Sequence, residues 1–243
     1  MQHRTGRKRG AEMVATMMVE LARDGGRACE AFVAAPDGGR KAAVLILSEM
    51  FGLNGPMKDF AQRYAARGHC AMVPDLFWRT ATPGGLGYDE KGFALAWARI
   101  KDFDIDACAA DMRRAAETLR KQPGCNGKVV ALGFCMGGRL AFVAAARSGV
   151  DAAIGLYGLD VSKHLHEAPS IRVPLHLHYG DKDEHVPRAE IEAVAKGVAG
   201  NPNIAIWRYP DAGHSFFNPV RPTYHAASAA LAATRIDAVL AAL

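Results

Sequence analysis

Short apolar runs alternate with segments of helical spacing along most of the chain. Runs of strand length, each bounded by turn residues, lie at residues 42–47, 70–73, 129–132, 152–156, 175–179 and 204–207. Segments with helical spacing, most of them ended by Gly or Pro, lie at residues 57–67, 105–121, 138–147, 188–198 and 223–243. This alternation is typical of βαβ units. The pattern therefore predicts an α/β fold with a mostly parallel central sheet flanked by helices.

Two further segments depart from the alternation. Residues 17–21 and 28–34 flank a turn-forming run, Arg23-Asp24-Gly25-Gly26, which predicts an antiparallel hairpin at the edge of the sheet. The longest stretch without an obvious strand, residues 75–104, carries Phe93, Trp97 and Ile100 at spacings of four and three. We expect this stretch to pass over the carboxyl end of the sheet.

Composition indicates an ordinary globular protein, with 50% hydrophobic and 23% charged residues among 243. Without a repeat, linker or low-complexity block, residues 13–243 are predicted to form a single domain. The net charge of +5 owes much to basic residues near the start, so residues 1–12 are predicted to be a flexible basic tail. No basic stripe interleaved with aromatic residues follows, and we expect no nucleic-acid partner.

The five cysteines include no CxxC pair, in a chain large enough to need no disulfides, which favours a reducing compartment. The partly apolar residues 13–21 are bracketed too closely by Glu12 and Glu20 to span a membrane, and no small-residue cleavage site follows. We therefore expect a cytoplasmic protein, with no membrane association, that is a monomer or a weak homodimer.

The strongest local signal is the hexapeptide from Gly133 to Gly138, which has Cys135 at its third position, follows a strand and precedes a helix. This is the layout of a nucleophile elbow with Cys in place of Ser. Glycines beside a sharp strand-to-helix turn admit close backbone approach, and the helix N-terminus favours a thiolate. The amide of Met136 would then be an oxyanion-hole donor. A buried, inert cysteine is the alternative explanation of this motif alone.

Two later loops provide partners in the chain order of an α/β-hydrolase triad, which is nucleophile, acid, base. Asp183 follows the run at 175–179 and is the predicted acid, with Asp181 as the second candidate. His214 follows the run at 204–207 in a tight loop and is the predicted base. His176 and His178 share a strand face but have no third ligand at a suitable spacing, so we predict no metal site.

These residues resemble a known family, the dienelactone hydrolases (carboxymethylenebutenolidases) of the α/β-hydrolase superfamily. The resemblance rests on six motifs in order: Ser48-Glu49-Met50-Phe51-Gly52-Leu53-Asn54, Pro74-Asp75-Leu76-Phe77, Gly133-Phe134-Cys135-Met136-Gly137-Gly138, Tyr157-Gly158, Asp183 with Val186-Pro187, and Ala212-Gly213-His214-Ser215-Phe216.

The resemblance implies that Cys135 is the nucleophile, His214 the base and Asp183 its orienting acid. It also implies that the N–H groups of Met50 and Met136 form the oxyanion hole, and that Glu49 holds the resting thiol until substrate arrives. A capping carboxylate is the alternative for Glu49. No cofactor or metal is implied.

The sequence departs from the family where the substrate binds. The family's carboxylate-binding arginines lie at positions that here hold Phe93 and Asn218, and its insert tyrosine aligns with Trp97. Arg79 is a candidate cation at the mouth of the site, with a solvated loop arginine as the alternative. The predicted pocket comprises Arg79, Phe93, Trp97, Tyr157, Phe216 and Asn218, and it is less anion-selective and more aromatic than the family's.

These observations predict a cysteine hydrolase that cleaves a small neutral or weakly anionic ester, lactone or thioester through an acyl-thioester intermediate. A thioesterase, peptidase or broad carboxylesterase on the same fold is one alternative. A binding or sensor protein that uses the Cys135 thiol without turnover is the other.

Overall fold

The computed structural model describes residues 14–38 and 40–243, so the whole of the predicted tail, residues 1–12, lies outside the described residues. The strands are β1 (Ala15–Asp24), β2 (Arg27–Ala35), β3 (Lys41–Leu47), β4 (Ala71–Pro74), β5 (Cys125–Phe134), β6 (Ala152–Leu156), β7 (Leu175–Gly180) and β8 (Ile204–Tyr209). The helices are α1 (Gly55–Ala65), α2 (Glu90–Ile100), α3 (Ile105–Arg120), α4 (Met136–Arg147), α5 (Arg188–Val198) and α6 (Ala226–Ala241), with a 3-10 helix at Val161–Ser170.

The eight strands form one sheet in the order β1-β2-β4-β3-β5-β6-β7-β8. The pairs β1–β2 and β2–β4 are antiparallel, and every pair from β4–β3 to β7–β8 is parallel. The predicted α/β fold, with a mostly parallel sheet and an N-terminal antiparallel hairpin at its edge, is confirmed.

Helices cover both faces of the sheet, which explains why its central strands are apolar without alternation. In β3, Leu45 and Leu47 belong to the core beneath α3, α4 and α5, whereas Val44 and Ile46 belong to the core beneath α1 and α6. All four side chains are at most 1% exposed. Successive residues of a strand point to opposite faces, so burial on both sides requires a continuous apolar run.

Residues 75–104 contain a helix, α2, whose register is set by Asp89. The Asp89 side chain accepts a hydrogen bond from the Gly92 amide at 2.7 Å and thereby caps the first turn. The spacing of Phe93, Trp97 and Ile100 places all three on one helix face, and all three line a cavity beside Cys135.

The carboxyl ends of the parallel strands meet at one edge of the sheet, where ligands bind in open α/β folds. Glu49 follows β3, Cys135 follows β5, Tyr157 follows β6, Asp183 follows β7 and His214 follows β8. Within residues 14–38 and 40–243, no helix is long and apolar enough to cross a bilayer.

Candidate active site

Cys135 lies in a sharp turn between β5 and α4, with backbone angles φ 57° and ψ −116°. This left-handed conformation is costly for a residue with a side chain, and glycine neighbours make it possible. A Cβ on Gly133 would overlap the backbone of Gly137, and a Cβ on Gly137 would overlap the backbone of Leu47 and Ser48. Only glycine fits at either position, so the elbow predicted from the sequence has the backbone that its glycines require.

Strained backbone is concentrated around this turn. Within the described part of the chain, the non-glycine residues with positive φ are Cys135, Tyr157, Asp160 and Ser215. Cys135, Asp160 and Ser215 line one cavity, and the ring of Tyr157 lies against that of His214. Such strain persists where surrounding contacts over-determine the conformation, which is common at functional sites.

Asp183 and His214, from the loops after β7 and β8, are joined by a hydrogen bond of 2.8 Å between Oδ2 and Nδ1. The other carboxylate oxygen, Oδ1, accepts the backbone amides of His185 at 2.8 Å and Val186 at 3.0 Å. Both side chains are largely buried, with 7% of Asp183 and 8% of His214 exposed. Asp181, the second candidate acid, instead pairs with Arg208.

His214 also lines the cavity that contains Cys135. Burial alone would lower the pKa of His214, but the charge of Cys135 and hydrogen bonds with Asp183 and Cys135 raise it to about 10. Because Asp183 occupies Nδ1, Nε2 is the ring nitrogen available to the sulfur. The arrangement therefore offers Cys135 a protonated imidazole that a carboxylate orients.

Two aromatic rings contact His214 edge-to-face and restrict its rotation. Tyr157 is fully buried, and its ring centroid lies 5.1 Å from that of His214. His185 lies 4.8 Å away, lines the cavity and is exposed. The sequence indicated a surface residue or a pocket wall at His185, but it did not predict the contact with His214.

The residues expected to donate to an oxyanion are Met50 and Met136, and both line the cavity with Cys135. Across the described residues, neither amide takes part in the hydrogen bonds of turns and loops. The loop that carries Met50 is held by buried Arg99, whose Nε and Nη2 donate to the Met50 carbonyl at 3.0 and 2.6 Å. Gly52 permits this approach, since its φ is 69° and a Cβ would lie 2.7 Å from Nη2 of Arg99.

Cys135 opens into a cavity of about 200 Å³. One wall is aromatic and comprises Phe51, Phe93 and Trp97, of which Trp97 is 57% exposed. The structure thus places two of the predicted pocket residues, Phe93 and Trp97, beside Cys135. A cavity of this size suits a small molecule.

Two arginines that sequence reasoning missed also line the cavity, Arg139 and Arg221. Each has a buried Nε without a hydrogen-bond partner among the described residues. Arg139 pairs with Asp160 at 3.4 Å, whereas the Arg221 guanidinium lies 4.5 Å from the ring centroid of Tyr88. Arg139 could have been predicted from the sequence, because it follows Cys135 by one helical turn. Arg221 could not, because it lies in an irregular loop without periodicity.

Arg79, expected at the mouth of the site, is absent from the residues that line this cavity. Its guanidinium forms an ion pair with Asp111 and lies 3.9 Å from the ring centroid of Trp78. Asp111 is 2% exposed, and a carboxylate so buried requires a charged partner. The arginines of the cavity are therefore Arg139 and Arg221, and the expectation that Arg79 lies at its mouth is corrected.

Three other predicted pocket residues lie behind the cavity wall. Tyr157 and Phe216 are fully buried and contact each other at a ring-centroid distance of 5.5 Å. Asn218 is 0% exposed and donates through Nδ2 to the Tyr88 hydroxyl at 3.2 Å. These residues support the site without lining the space that a ligand would fill.

Glu49 lines the cavity and is 2% exposed. Its Oε2 accepts a hydrogen bond from the Tyr88 hydroxyl at 2.8 Å, and Oε1 lies 3.5 Å from Oγ of Ser215. Tyr88 was not singled out in the sequence because it lies in the irregular segment before α2.

Among residues 14–38 and 40–243, no group of three or more His, Cys, Asp or Glu side chains is arranged to bind a metal ion. His178 bonds through Nδ1 to the Tyr209 hydroxyl at 2.7 Å, and His176 accepts from Trp207 Nε1 at 3.3 Å. These two histidines of β7 therefore pack against the aromatic side chains of β8.

Comparison with known proteins agrees with this geometry. Residues 29–242 match the model of the dienelactone hydrolase family. A carboxymethylenebutenolidase from Pseudomonas putida is 35% identical over 206 residues, which cover 84% of this chain and 87% of that protein. Carboxymethylenebutenolidase 1 from Cupriavidus pinatubonensis is 34% identical over 224 residues, covering 91% of this chain and 94% of that protein.

A solved structure from Klebsiella pneumoniae, of a protein assigned to the dienelactone hydrolases, superposes with a TM-score of 0.82 and 25% identity. The superposition covers 94% of this chain and 99% of that one. The resemblance inferred from the six sequence motifs is confirmed: the chain belongs to the dienelactone hydrolase family and is a hydrolase acting on ester or lactone bonds.

Proposed function

We propose that this protein hydrolyses a small ester or lactone with Cys135 as its nucleophile. The observation that supports this most directly is the convergence of Cys135, His214 and Asp183 at the carboxyl edge of the sheet, with His214 bonded to Asp183 at 2.8 Å. A thiol beside an imidazole that is oriented by a carboxylate is the general arrangement of an activated nucleophile.

In the acylation step, the Cys135 thiolate attacks the carbonyl carbon and a C–S bond forms. The amides of Met50 and Met136 stabilise the negative charge on the oxygen. The C–O bond to the alcohol then breaks, and His214 gives its proton to the departing alkoxide. For a lactone, the alcohol remains attached to the acyl group.

In the deacylation step, neutral His214 takes a proton from water as the water attacks the thioester carbon. The C–S bond breaks, the carboxylic acid is released and the Cys135 thiolate is restored beside protonated His214. Asp183 stabilises the imidazolium at both stages and holds the ring in the required tautomer. All groups in this cycle belong to the chain itself, apart from water and substrate.

The cavity narrows the class of substrate. Its aromatic wall of Phe51, Phe93 and Trp97 suits an apolar body, as expected from the sequence. The expectation of weak anion selectivity is revised, because Arg221 lines the same space and forms no ion pair within the described chain. We propose a small ester or lactone that carries an anionic group.

The test is hydrolysis of a panel of nitrophenyl esters, lactones and acyl thioesters by the wild-type enzyme and by Cys135→Ala. We expect turnover of esters or lactones in the wild type and complete loss in the variant, with unchanged circular dichroism. Retained turnover in Cys135→Ala would contradict the proposal. Turnover of thioesters alone would favour a thioesterase, and stoichiometric labelling without turnover would favour a thiol-based sensor.

A further inference from the structure

Glu49, a carboxylate that lines the cavity together with Cys135, forms its hydrogen bond with a residue outside the proposed triad. Oε2 of Glu49 accepts the Tyr88 hydroxyl at 2.8 Å, and Glu49 itself is 2% exposed. Both Glu49 and Cys135 line the same cavity, yet no hydrogen bond joins them among the contacts of the described residues. The carboxylate is therefore held by the phenol and not by the thiol.

The direction of the hydrogen bonds fixes where the Tyr88 proton lies. Asn218 Oδ1 is the acceptor for the Val220 amide at 3.4 Å, so Nδ2 of Asn218 is the atom that faces Tyr88. Nδ2 donates to the phenol oxygen at 3.2 Å. A hydroxyl has one proton, and an amide nitrogen cannot accept it, so the proton of Tyr88 is directed to Glu49.

Surrounding groups immobilise Tyr88 and keep it protonated. Its ring packs edge-to-face on Phe51 at 4.7 Å, and the Arg221 guanidinium lies 4.5 Å from its centroid. Burial and the charge of Glu49 together raise the pKa of Tyr88. The phenol therefore stays a hydrogen-bond donor across the working pH range of most proteins.

We propose that Tyr88, supported by Asn218, is a positioning residue that keeps the Glu49 carboxylate away from the Cys135 thiol, so that Cys135 is reactive before substrate binds. The inference rests on the proposed function, because it concerns the same thiol. It differs from the role that family resemblance implies for Glu49, which is to hold the resting thiol until substrate arrives.

The physical reason is the effect of a carboxylate on thiol ionisation. A carboxylate that accepts the S–H proton favours the neutral thiol, and a negative charge beside a thiolate disfavours it. With Oε2 engaged by Tyr88, that competition is weakened, and His214 in the same cavity is left as the base for the thiol.

The test measures the second-order rate of Cys135 alkylation by iodoacetamide at pH 7 without substrate. The other four cysteines are buried, and Cys135→Ala gives the background rate. We expect Tyr88→Phe to react at least fivefold more slowly than wild type, because Glu49 is freed to accept from the thiol. The control Tyr224→Phe changes a tyrosine that is 42% exposed and should react like wild type.

A double variant separates positioning from a general structural effect. Glu49→Gln combined with Tyr88→Phe should react within twofold of Glu49→Gln alone, since the freed carboxylate is then absent. An unchanged rate in Tyr88→Phe, or a slower rate that Glu49→Gln fails to restore, would overturn the proposal.

Thermal unfolding checks the fold of each variant. If Tyr88→Phe does not fold, Asn218→Leu provides the second test, with a slower alkylation that Glu49→Gln again restores. The alkylation rates depend on the thiol and not on turnover, so this test is independent of the ester assay. If Tyr88→Phe is alkylated at the wild-type rate while Cys135→Ala still loses turnover, only the role of Tyr88 is contradicted.

Discussion

The two oxygens of Asp183 accept hydrogen bonds from separate partners. Oδ2 bonds to Nδ1 of His214 at 2.8 Å, and Oδ1 accepts from the backbone amides of His185 and Val186 in its own loop. The carboxylate therefore fixes the imidazole relative to the backbone that follows β7. Orientation and charge stabilisation of His214 depend on the same group.

Replacement of Asp183 by Asn should lower kcat by about 10⁴-fold with little loss of stability, because the amide keeps the size but favours the wrong tautomer of His214. Steady-state kinetics on a hydrolysed ester would measure this. The matched control is Asp181→Asn, which alters an ion pair with Arg208 in the same loop and should leave kcat within twofold. Equal kcat in the two variants would remove Asp183 from the triad.

Removal of the Cys135 sulfur should lower the pKa of His214 well below 10. The Coulomb interaction and hydrogen bond with Cys135 are among the causes that raise it, and burial, which opposes them, remains. Titration of the His214 ring by NMR in wild type and Cys135→Ala would measure the shift. In wild type the imidazolium should persist as pH rises to about 10 and be lost above it. Coincident titration curves for the two proteins would show that the thiol does not charge the imidazole.

Substitution of Arg221 should discriminate between substrates by their charge. Arg221→Gln should lower kcat/KM about 10-fold to 100-fold for a nitrophenyl ester that carries a carboxylate, since charge-assisted hydrogen bonds contribute about 1.5–3 kcal/mol. A neutral ester of equal size should change less than threefold. Arg188→Gln, a surface variant in an ion pair with Glu192, is the control. An equal loss on both esters would indicate damage to the site and not to anion binding.

Arg99 should be essential for the shape of the loop that carries Met50, whose amide is proposed to stabilise the oxyanion. Its guanidinium also donates to the carbonyls of Thr82 and Gly84 at 3.1 and 3.0 Å, so Arg99→Met leaves several buried acceptors unpaired. We expect the free energy of unfolding to fall by about 3 kcal/mol and kcat to fall with it. Lys101→Met, on the exposed end of the same helix, tests for nonspecific effects in denaturant titrations. Unchanged kcat in Arg99→Met would show that the loop holds its shape without it.

The fold was predictable because its signals are local. The apolar runs, their turn residues and the glycines around Cys135 each constrain a short stretch of backbone, and the sheet follows from their alternation. Motif order likewise indicated Asp183 and His214, which the structure brings together.

The presence of Arg221 in the cavity, in place of Arg79, was not predictable in the same way. Arg79 and Arg221 both lie in irregular segments, and only long-range packing decides which one reaches the site. Asp111, on α3, draws Arg79 away, while the aromatic rings of the segment before and within α2 hold Arg221 at the cavity. Tyr88 escaped notice for the same reason, since its partner Glu49 is 39 positions away.

The glycine contacts beneath Cys135 have a consequence for how the site can change. The close backbone approaches involve Gly133, Gly137, Gly138, Gly155 and Gly158, and none requires the side chain at position 135. The scaffold thus separates the shape of the turn from the identity of the reacting atom. A different nucleophile could be exchanged at that one position without rebuilding the surrounding backbone, which makes the chemistry of this protein more readily evolvable than its architecture.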